Sequence, residues 1–519
     1  MARDVTVLSA DAAAELIRDG ATLTVSSSSG LNCPDRVLQA IGERHARTGH
    51  PRDLTTIHPI AAGDMYGIPG VDHLAREGLL RRVIAGSYPS GPSNFESPKI
   101  WKMIIGEQIE AYNLPSGLLF DMHRDVAARR PGVITQVGLD TFVDPRRHGG
   151  RMNTRTRDEL LRVVEFDGQE WLHLKNVPPD VAIIRGTTAD EHGNISMEHE
   201  GAYLGVVDQA LAARNNGGIV IAQVKRLTAR GSIPPQRVHV PSTLVDYVVV
   251  VPDQKQTTQT DYDPAISGET RKRLSDFAPL GWSPDQIIAR RAAMELRDGD
   301  AVNLGFGIAA DVPRILMEQG RSERINWVIE QGAVGGIPLT GFAFGCAANA
   351  DAILPSPQQF TYFQGGGFDC SLLSLMEVDA SGSVNVSRLS VKPHVTAGCG
   401  GFVDISSHAR KLVFCGYFRA GGLQLDVSDG ALRIVQEGKV PKFVPEVEHV
   451  TFSGRMAARR GQDVTYVTER CVIRLREGQL VVTEVAPGVD LRRDVLERCK
   501  VELKVDRELS LMAGDCFAR

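Results

Sequence analysis

Glu15-Leu-Ile-Arg-Asp-Gly20-Ala-Thr-Leu-Thr-Val25 returns late in the chain as Glu295-Leu-Arg-Asp-Gly299-Asp-Ala-Val-Asn-Leu304, offset by 279 residues when Gly20 is laid on Gly299. Each copy reads as a helix end, an Asp-Gly turn, a buried strand, a loop of small residues and a second helix. The same offset carries Pro34 onto Pro313. Further along, Asp190-Glu-His-Gly193 resembles Asp379-Ala-Ser-Gly382, and Ile219 to Val224 resembles Leu412 to Tyr417. Val240-Pro241 with Val245 to Val249 resembles Val444-Pro445 with Val447 to Thr451. Strands alternating with helical segments in both halves predict an α/β fold of two duplicated open α/β domains, with one active site in the cleft between them.

The later offsets fall to 189, 193 and 204, so the first half carries roughly 85 extra residues, predicted around 80–165. The domains are predicted at 1–252 and 284–519, joined by a linker at 253–283. There Asp253-Gln-Lys-Gln-Thr-Thr-Gln-Thr-Asp-Tyr has no apolar period. A chain of 519 residues is too long for one ordinary core, and a period of 279 is too long for a solenoid.

Composition narrows the function by exclusion. Lys+Arg 58 against Asp+Glu 63 gives a net charge of −5, which disfavours a general nucleic-acid binder. The eight cysteines form no Cys-x-x-Cys pair, so free thiols in a reducing compartment are expected. The first residues contain no apolar signal core, and no apolar run is long enough to cross a bilayer. A cytoplasmic protein with no membrane contact is expected. No Gly-x-x-x-x-Gly-Lys-Ser/Thr loop is present, and no His-x-x-x-His or Glu-x-x-His cluster supports a metal, so neither a nucleoside triphosphate nor a metal is expected.

Glu330, in Ile325-Asn-Trp-Val-Ile-Glu-Gln-Gly-Ala-Val-Gly-Gly336, is the candidate nucleophile. A carboxylate at the carboxyl end of a strand in an open α/β sheet lies where ligands bind. Being ionised at pH 7, it needs no base to become a nucleophile. Alone it reads as a solvent-facing glutamate at a strand end. Three other segments accompany it. Asn303-Leu-Gly305-Phe-Gly307-Ile-Ala-Ala-Asp-Val-Pro313 reads as a strand end, a Gly-x-Gly turn and a helix start, suited to an anion or merely to tight packing. Phe360 to Asp369 contains Gly365, Gly366 and Gly367, a close backbone approach or a linker. Thr396-Ala-Gly398-Cys-Gly400-Gly401-Phe402-Val-Asp404 reads as a loop of oxyanion donors or as a surface turn. His192, His199 and His394 read as surface or core histidines. Seven arginines between Arg129 and Arg157 read as a solvated or subunit-facing surface, or as receivers of phosphate.

The four segments, in this order on a duplicated chain, resemble the family I coenzyme A transferases, most closely the single-chain acetate/propionate branch. The first half adds Glu77 to Ile84, Glu110-Ala-Tyr-Asn-Leu-Pro115, Gly132 to Pro145 and Arg185 to Ser196, so the resemblance spans nearly the whole chain. It implies coenzyme A and acyl-CoA as substrates and transfer to a short- or medium-chain carboxylate by a ping-pong route. In that route Glu330 forms an acyl anhydride and then a glutamyl-CoA thioester. Gly398, Gly400, Gly401 and Phe402 would build the oxyanion hole and part of the CoA pocket. Gly305, Phe306, Gly307, Ile308 and Ala309 would form a CoA-contacting turn. Ser116 stands where the pattern often has glutamine and, with Gly365 to Gly367, is assigned to the acid pocket. Ser26-Ser-Ser-Ser-Gly30 and Ala309 also depart from the pattern. A homodimer or homotetramer is implied. An acyl-CoA hydrolase, or a non-catalytic CoA- or acid-binding regulator, are the alternatives on the same fold.

Overall fold

A computed structural model describes residues 4–518. The duplication is visible in its two main sheets. In the first half five parallel strands run side by side in the order Leu54–His58, Thr22–Val25, Val181–Arg185, Ile219–Val224, Tyr247–Val250. In the second half Asn326–Val328, Ala301–Leu304, Cys370–Ser374, Lys411–Cys415 and Asp463–Val467 take the same places, also parallel. The matching turn glycines, Gly20 (φ 73°) and Gly299 (φ 94°), both occupy the left-handed region that disfavours any side chain.

Parallel sheets are covered on both faces, so their strands read as continuous apolar runs. Leu54–His58 and Val181–Arg185 are buried along their full lengths. Alternate residues face opposite layers. Leu23, Val25 and Ile183 pack with Val37, Leu38 and Ile41 of the helix Asp35–Thr48. Ala182 and Ile184 pack with Val206 and Ala210 of the helix Val206–Asn215. The helix Ser116–Ala127 lies beside the latter and also touches the second half, on Ser356–Gln364 and Phe402–His408. Phe120 and Phe360 meet there with ring centroids 5.6 Å apart. The two halves thus share a core.

The edges differ. Leu80–Ala85 and Glu110–Asn113 extend the first sheet in parallel. A separate antiparallel sheet, Val133–Thr135 with Gln169–Leu174 and Leu161–Phe166, follows. The extra material of the first half therefore reaches beyond 165. The second sheet instead carries antiparallel Ala333–Val334 and Ala352–Ile353 at one edge and ends at Lys504–Leu511 on the other. One sequence pairing shifts. Val240 bridges Ile195 antiparallel, and the matching bridge of the second half joins Val384 to Phe452, not to Val444. The hairpin Gln424–Ser428 with Ala431–Gln436 occupies the intervening chain, and the helix Gly454–Arg460 precedes the last parallel strand. That strand is Asp463–Val467, so 447–451 is no counterpart of Val245 to Val249. Among the described residues no helix is long and apolar enough to cross a membrane.

Candidate active site

Glu330 sits at the tip of a tight turn. The parallel strand Asn326–Val328 ends, Gly332 N–H closes back onto Ile329 O at 2.9 Å, and the chain returns antiparallel at Val334. Gly332 has φ 121°, and a Cβ there would lie 1.9 Å from Leu354 O. The Glu-x-Gly spacing is thus a steric requirement of the turn. Ala301–Leu304 runs alongside, tied by Asn303 Nδ2 to Val328 O at 3.1 Å, so Gly305 and Glu330 leave the same sheet edge as neighbours. Gly307 (φ 99°) packs against Ser374, leaving no space for a side chain. Phe306 stands out into solvent at 68% exposure, edge-on to Phe344 at 5.2 Å. The short 3₁₀ turn Ile308–Asp311 buries Ala309.

The glycine loop closes over the carboxylate. A Cβ on Gly401 would lie 2.7 Å from Glu330 Oε2 and 2.7 Å from Phe360 Cε1. The Gly401 N–H faces the Glu330 carboxylate closely enough to favour its ionised form. The rest of the loop is fastened to the first half. Cys399 N–H donates to Asn113 Oδ1 at 2.9 Å and Gly400 N–H to Gly86 O at 2.8 Å, while Ser116 N–H donates to Gly400 O at 2.9 Å. Asn113 Nδ2 in turn donates to Gly86 O at 2.7 Å and Ala85 O at 3.1 Å. Gly398 (φ 90°) packs against the Asn113 amide. Cys399 and Gly400 therefore spend their N–H groups on position. Of the loop donors, Gly401 is the one turned to the carboxylate, a narrower role than the sequence expectation of a whole loop of oxyanion donors.

Burial dominates the electrostatics. It pushes the Glu330 carboxyl up to about 7, with the Gly401 N–H pulling the other way. At pH 7 the group is roughly half ionised, not wholly ionised as an exposed glutamate would be. A second carboxyl lies close by. Asp404, fully buried, is pushed up to about 8 by burial, with Asp121 and Glu330 adding repulsion. It accepts from Gly117 N–H at 2.9 Å and from Gln364 Nε2 at 3.0 Å, binding the helix start after Ser116 to the second half. Gln331 Nε2 donates to Ser28 Oγ at 3.2 Å, so the Ser26 to Gly30 loop borders the same site.

The structure thus brings Glu330, Gly398, Gly400, Gly401, Gly305 to Ile308 and Ser116 together, whereas Ala309 is fully buried in the second half's core and Phe402 is buried there against Phe414. It does not bring Gly365, Gly366 and Gly367 to Glu330. They follow the helix Ser356–Gln364 and precede the interior strand Cys370–Ser374, at the amino ends of the parallel strands, whereas Glu330 follows a carboxyl end. Gly366 (φ 67°) packs on the His408 carbonyl and Gly367 on the Tyr362 ring. The close backbone approach is real, but its partner is the protein itself. Asn113, Gly86, Asp404 and Gln331 were given no role by sequence reasoning, although Asn113, Asp404 and Gln331 lie inside quoted motifs. Among the described residues no group of three or more His, Cys, Asp and Glu could hold a metal ion.

Comparison with known proteins follows the same lines. A coenzyme A transferase family model matches residues 7–251. Caffeate CoA-transferase of Acetobacterium woodii is 41% identical over 98% of this chain and 97% of its own. The apoenzyme structure of acyl-CoA transferase YdiF from Escherichia coli O157:H7 superposes with a TM-score of 0.92 at 38% identity, covering 99% of this chain and 96% of that one. A crystal structure of YdiF as a thioester complex with CoA gives a TM-score of 0.90 at 38% identity, with the same coverage.

Proposed function

The chain belongs to the coenzyme A transferase family, and from that we propose that it moves CoA from an acyl-CoA to a short- or medium-chain carboxylate by way of a thioester on Glu330. The observation that carries the reading is the half-buried Glu330 carboxylate at the carboxyl end of its strand, with the Gly401 backbone packed directly against it.

An acyl-CoA and a free acid exchange partners at little net free-energy cost, so the obstacle is kinetic. A Glu330 oxygen adds to the thioester carbonyl, and collapse expels the CoA thiolate and leaves a mixed anhydride. The thiolate then attacks the Glu330 carbonyl carbon, releasing the first acid and forming the glutamyl thioester. An incoming carboxylate runs both steps in reverse. A partly desolvated carboxylate is the better nucleophile for this purpose. The Gly401 N–H, already beside the reacting oxygens, can stay with the negative charge as it moves. One such donor contributes roughly 3–4 kcal/mol. Phe306 and the turn to Ala309 are assigned to the CoA chain, Ser116 to the acid. Binding the remote parts of CoA offsets the cost of closing the site against water. The same reading has the enzyme working as a homodimer or homotetramer, which light scattering decides.

Ping-pong transfer predicts parallel double-reciprocal lines when acyl-CoA and acceptor acid are varied together. Intersecting lines would exclude a covalent enzyme-bound CoA. Thiol release at the same rate without an acceptor would make the protein a hydrolase.

A further inference from the structure

Behind the glycine loop, between the arginine-rich stretch of the first half and residues 387–396 of the second, lies a cavity of about 650 Å³. Neither Glu330, Ser116 nor any residue of 305–309 lines it. Its volume is that of a pocket for a drug-sized molecule, and a short acid would leave most of it empty.

The lining has two chemistries. Ile105 supplies exposed apolar surface, and the buried rings of Trp101 and Phe142 form the wall behind it. Arg147, Arg151, Arg157 and Arg388 supply positive charge against a single carboxylate, Glu107, which is engaged by Thr154 Oγ1 at 2.6 Å. These arginines are not all neutralised. Arg147 pairs with Asp140 at 2.7 Å, but Arg388 reaches Glu448 only at 3.8 Å and Arg151 reaches Glu159 only at 4.0 Å. Arg157 has no ion-pair partner among the described residues. His449 adds a polar atom to the wall. It is 5% exposed, packed on Phe142 with ring centroids 4.1 Å apart, and its Nδ1 is bonded to Ser387 Oγ at 2.7 Å. Its Nε2 has no hydrogen-bond partner among the described residues. Burial and the nearby Arg388 keep the ring neutral.

Guanidinium forks pair with carboxylate or phosphate oxygens, and stack on aromatic faces. We propose that this cavity is a binding site, separate from Glu330, for an amphipathic oxyanion: a carboxylate or phosphate group carried on an aromatic or bulky apolar body. Asn113 stands in its wall, and the same side chain pins Cys399. An occupant therefore touches the support of the glycine loop without entering the cleft. The proposal does not depend on the covalent chemistry assigned to Glu330.

Isothermal titration of the full chain with trans-cinnamate and with adenosine monophosphate tests it. The expected result is one site per chain for at least one probe. Binding should persist at saturating CoA and in Glu330→Ala, and weaken at least tenfold in the double variant Arg157→Ala/Arg388→Ala. Binding of cinnamate alone assigns the site to carboxylates, and binding of the nucleotide alone to phosphate-bearing ligands. Ile105→Trp, at the exposed rim, should lower affinity as well and guards against misfolding of the arginine variant. No binding of either probe, displacement by CoA, or unchanged affinity in both the rim and the arginine variants would overturn the proposal.

Discussion

Gly205 and Gly401 occupy the same place in the two halves, each capping the helix that follows the small hairpin beside the main sheet. A Cβ on Gly205 would strike the Phe120 ring at 2.4 Å, whereas one on Gly401 would strike the Glu330 carboxylate at 2.7 Å. The registers of the two strand pairs also place Pro59 of the first half opposite Glu330 of the second, since Thr55 pairs with Thr22 as Asn326 pairs with Ala301. One architecture has thus been filled twice. The first half packs a ring where the second exposes an oxygen, and it lends its own strand ends, through Gly86 and Asn113, to hold the partner's loop.

The sharpest break of that comparison is at the oxygen itself. Glu330→Gln should lower turnover by roughly four orders of magnitude or more, as loss of a covalent nucleophile does. The size-matched side chain should leave the folded circular dichroism spectrum unchanged. Next come the paired glycines. Gly401→Ala should lower kcat about a hundredfold by displacing the carboxylate. Gly205→Ala should leave kcat near normal and cost roughly 1–3 kcal/mol of stability through overpacking. Equal effects at both positions would mean that the halves do not divide the labour.

Two smaller effects sharpen the picture. Glu330 must be ionised to attack, so kcat/KM for the acyl-CoA should fall about tenfold per pH unit below pH 7. Stability carries the opposite sign. A carboxyl whose folded pKa is raised from 4.5 to about 7 favours folding fully below pH 4.5 and loses that contribution as pH rises through 7. Relative to the parent, Glu330→Gln should therefore gain on the order of 3 kcal/mol between pH 4 and pH 8 in denaturant titrations. Asp404, raised to about 8, keeps some of this slope in the variant. Asn113→Ala should cost about 1–3 kcal/mol by leaving the buried Cys399 N–H unpaired, while Gly86 O keeps the Gly400 N–H. It should also reduce kcat more than KM rises.

What could be read from the chain follows from range. The Asp-Gly turns, the alternating elements and the Glu330-x-Gly332 turn are local patterns whose geometry glycine declares within a few residues. That the two halves share one architecture followed from recognising the repeat, whereas the order of the five shared strands emerged only from the structure. Asn113 and Gly398 lie far apart in sequence and meet only because two sheets present the same edge to each other, so neither motif announces the pairing. Gly365 to Gly367 did announce a close approach, but not its partner, which is the His408 carbonyl and the Tyr362 ring. The mispairing of Val240 with Val444 arose because a hairpin and a helix occupy the second half where the first has a short turn. The perturbed ionisation of Glu330 and Asp404 depends on burial, which no spacing encodes.

The covalent state of Glu330 can be weighed directly. After incubation with acetyl-CoA and no acceptor acid, intact mass spectrometry should find CoA added to the chain, on the peptide holding Glu330, and no adduct in Glu330→Ala. An unmodified chain that still exchanges CoA between acids, or an adduct on another residue, would contradict the account.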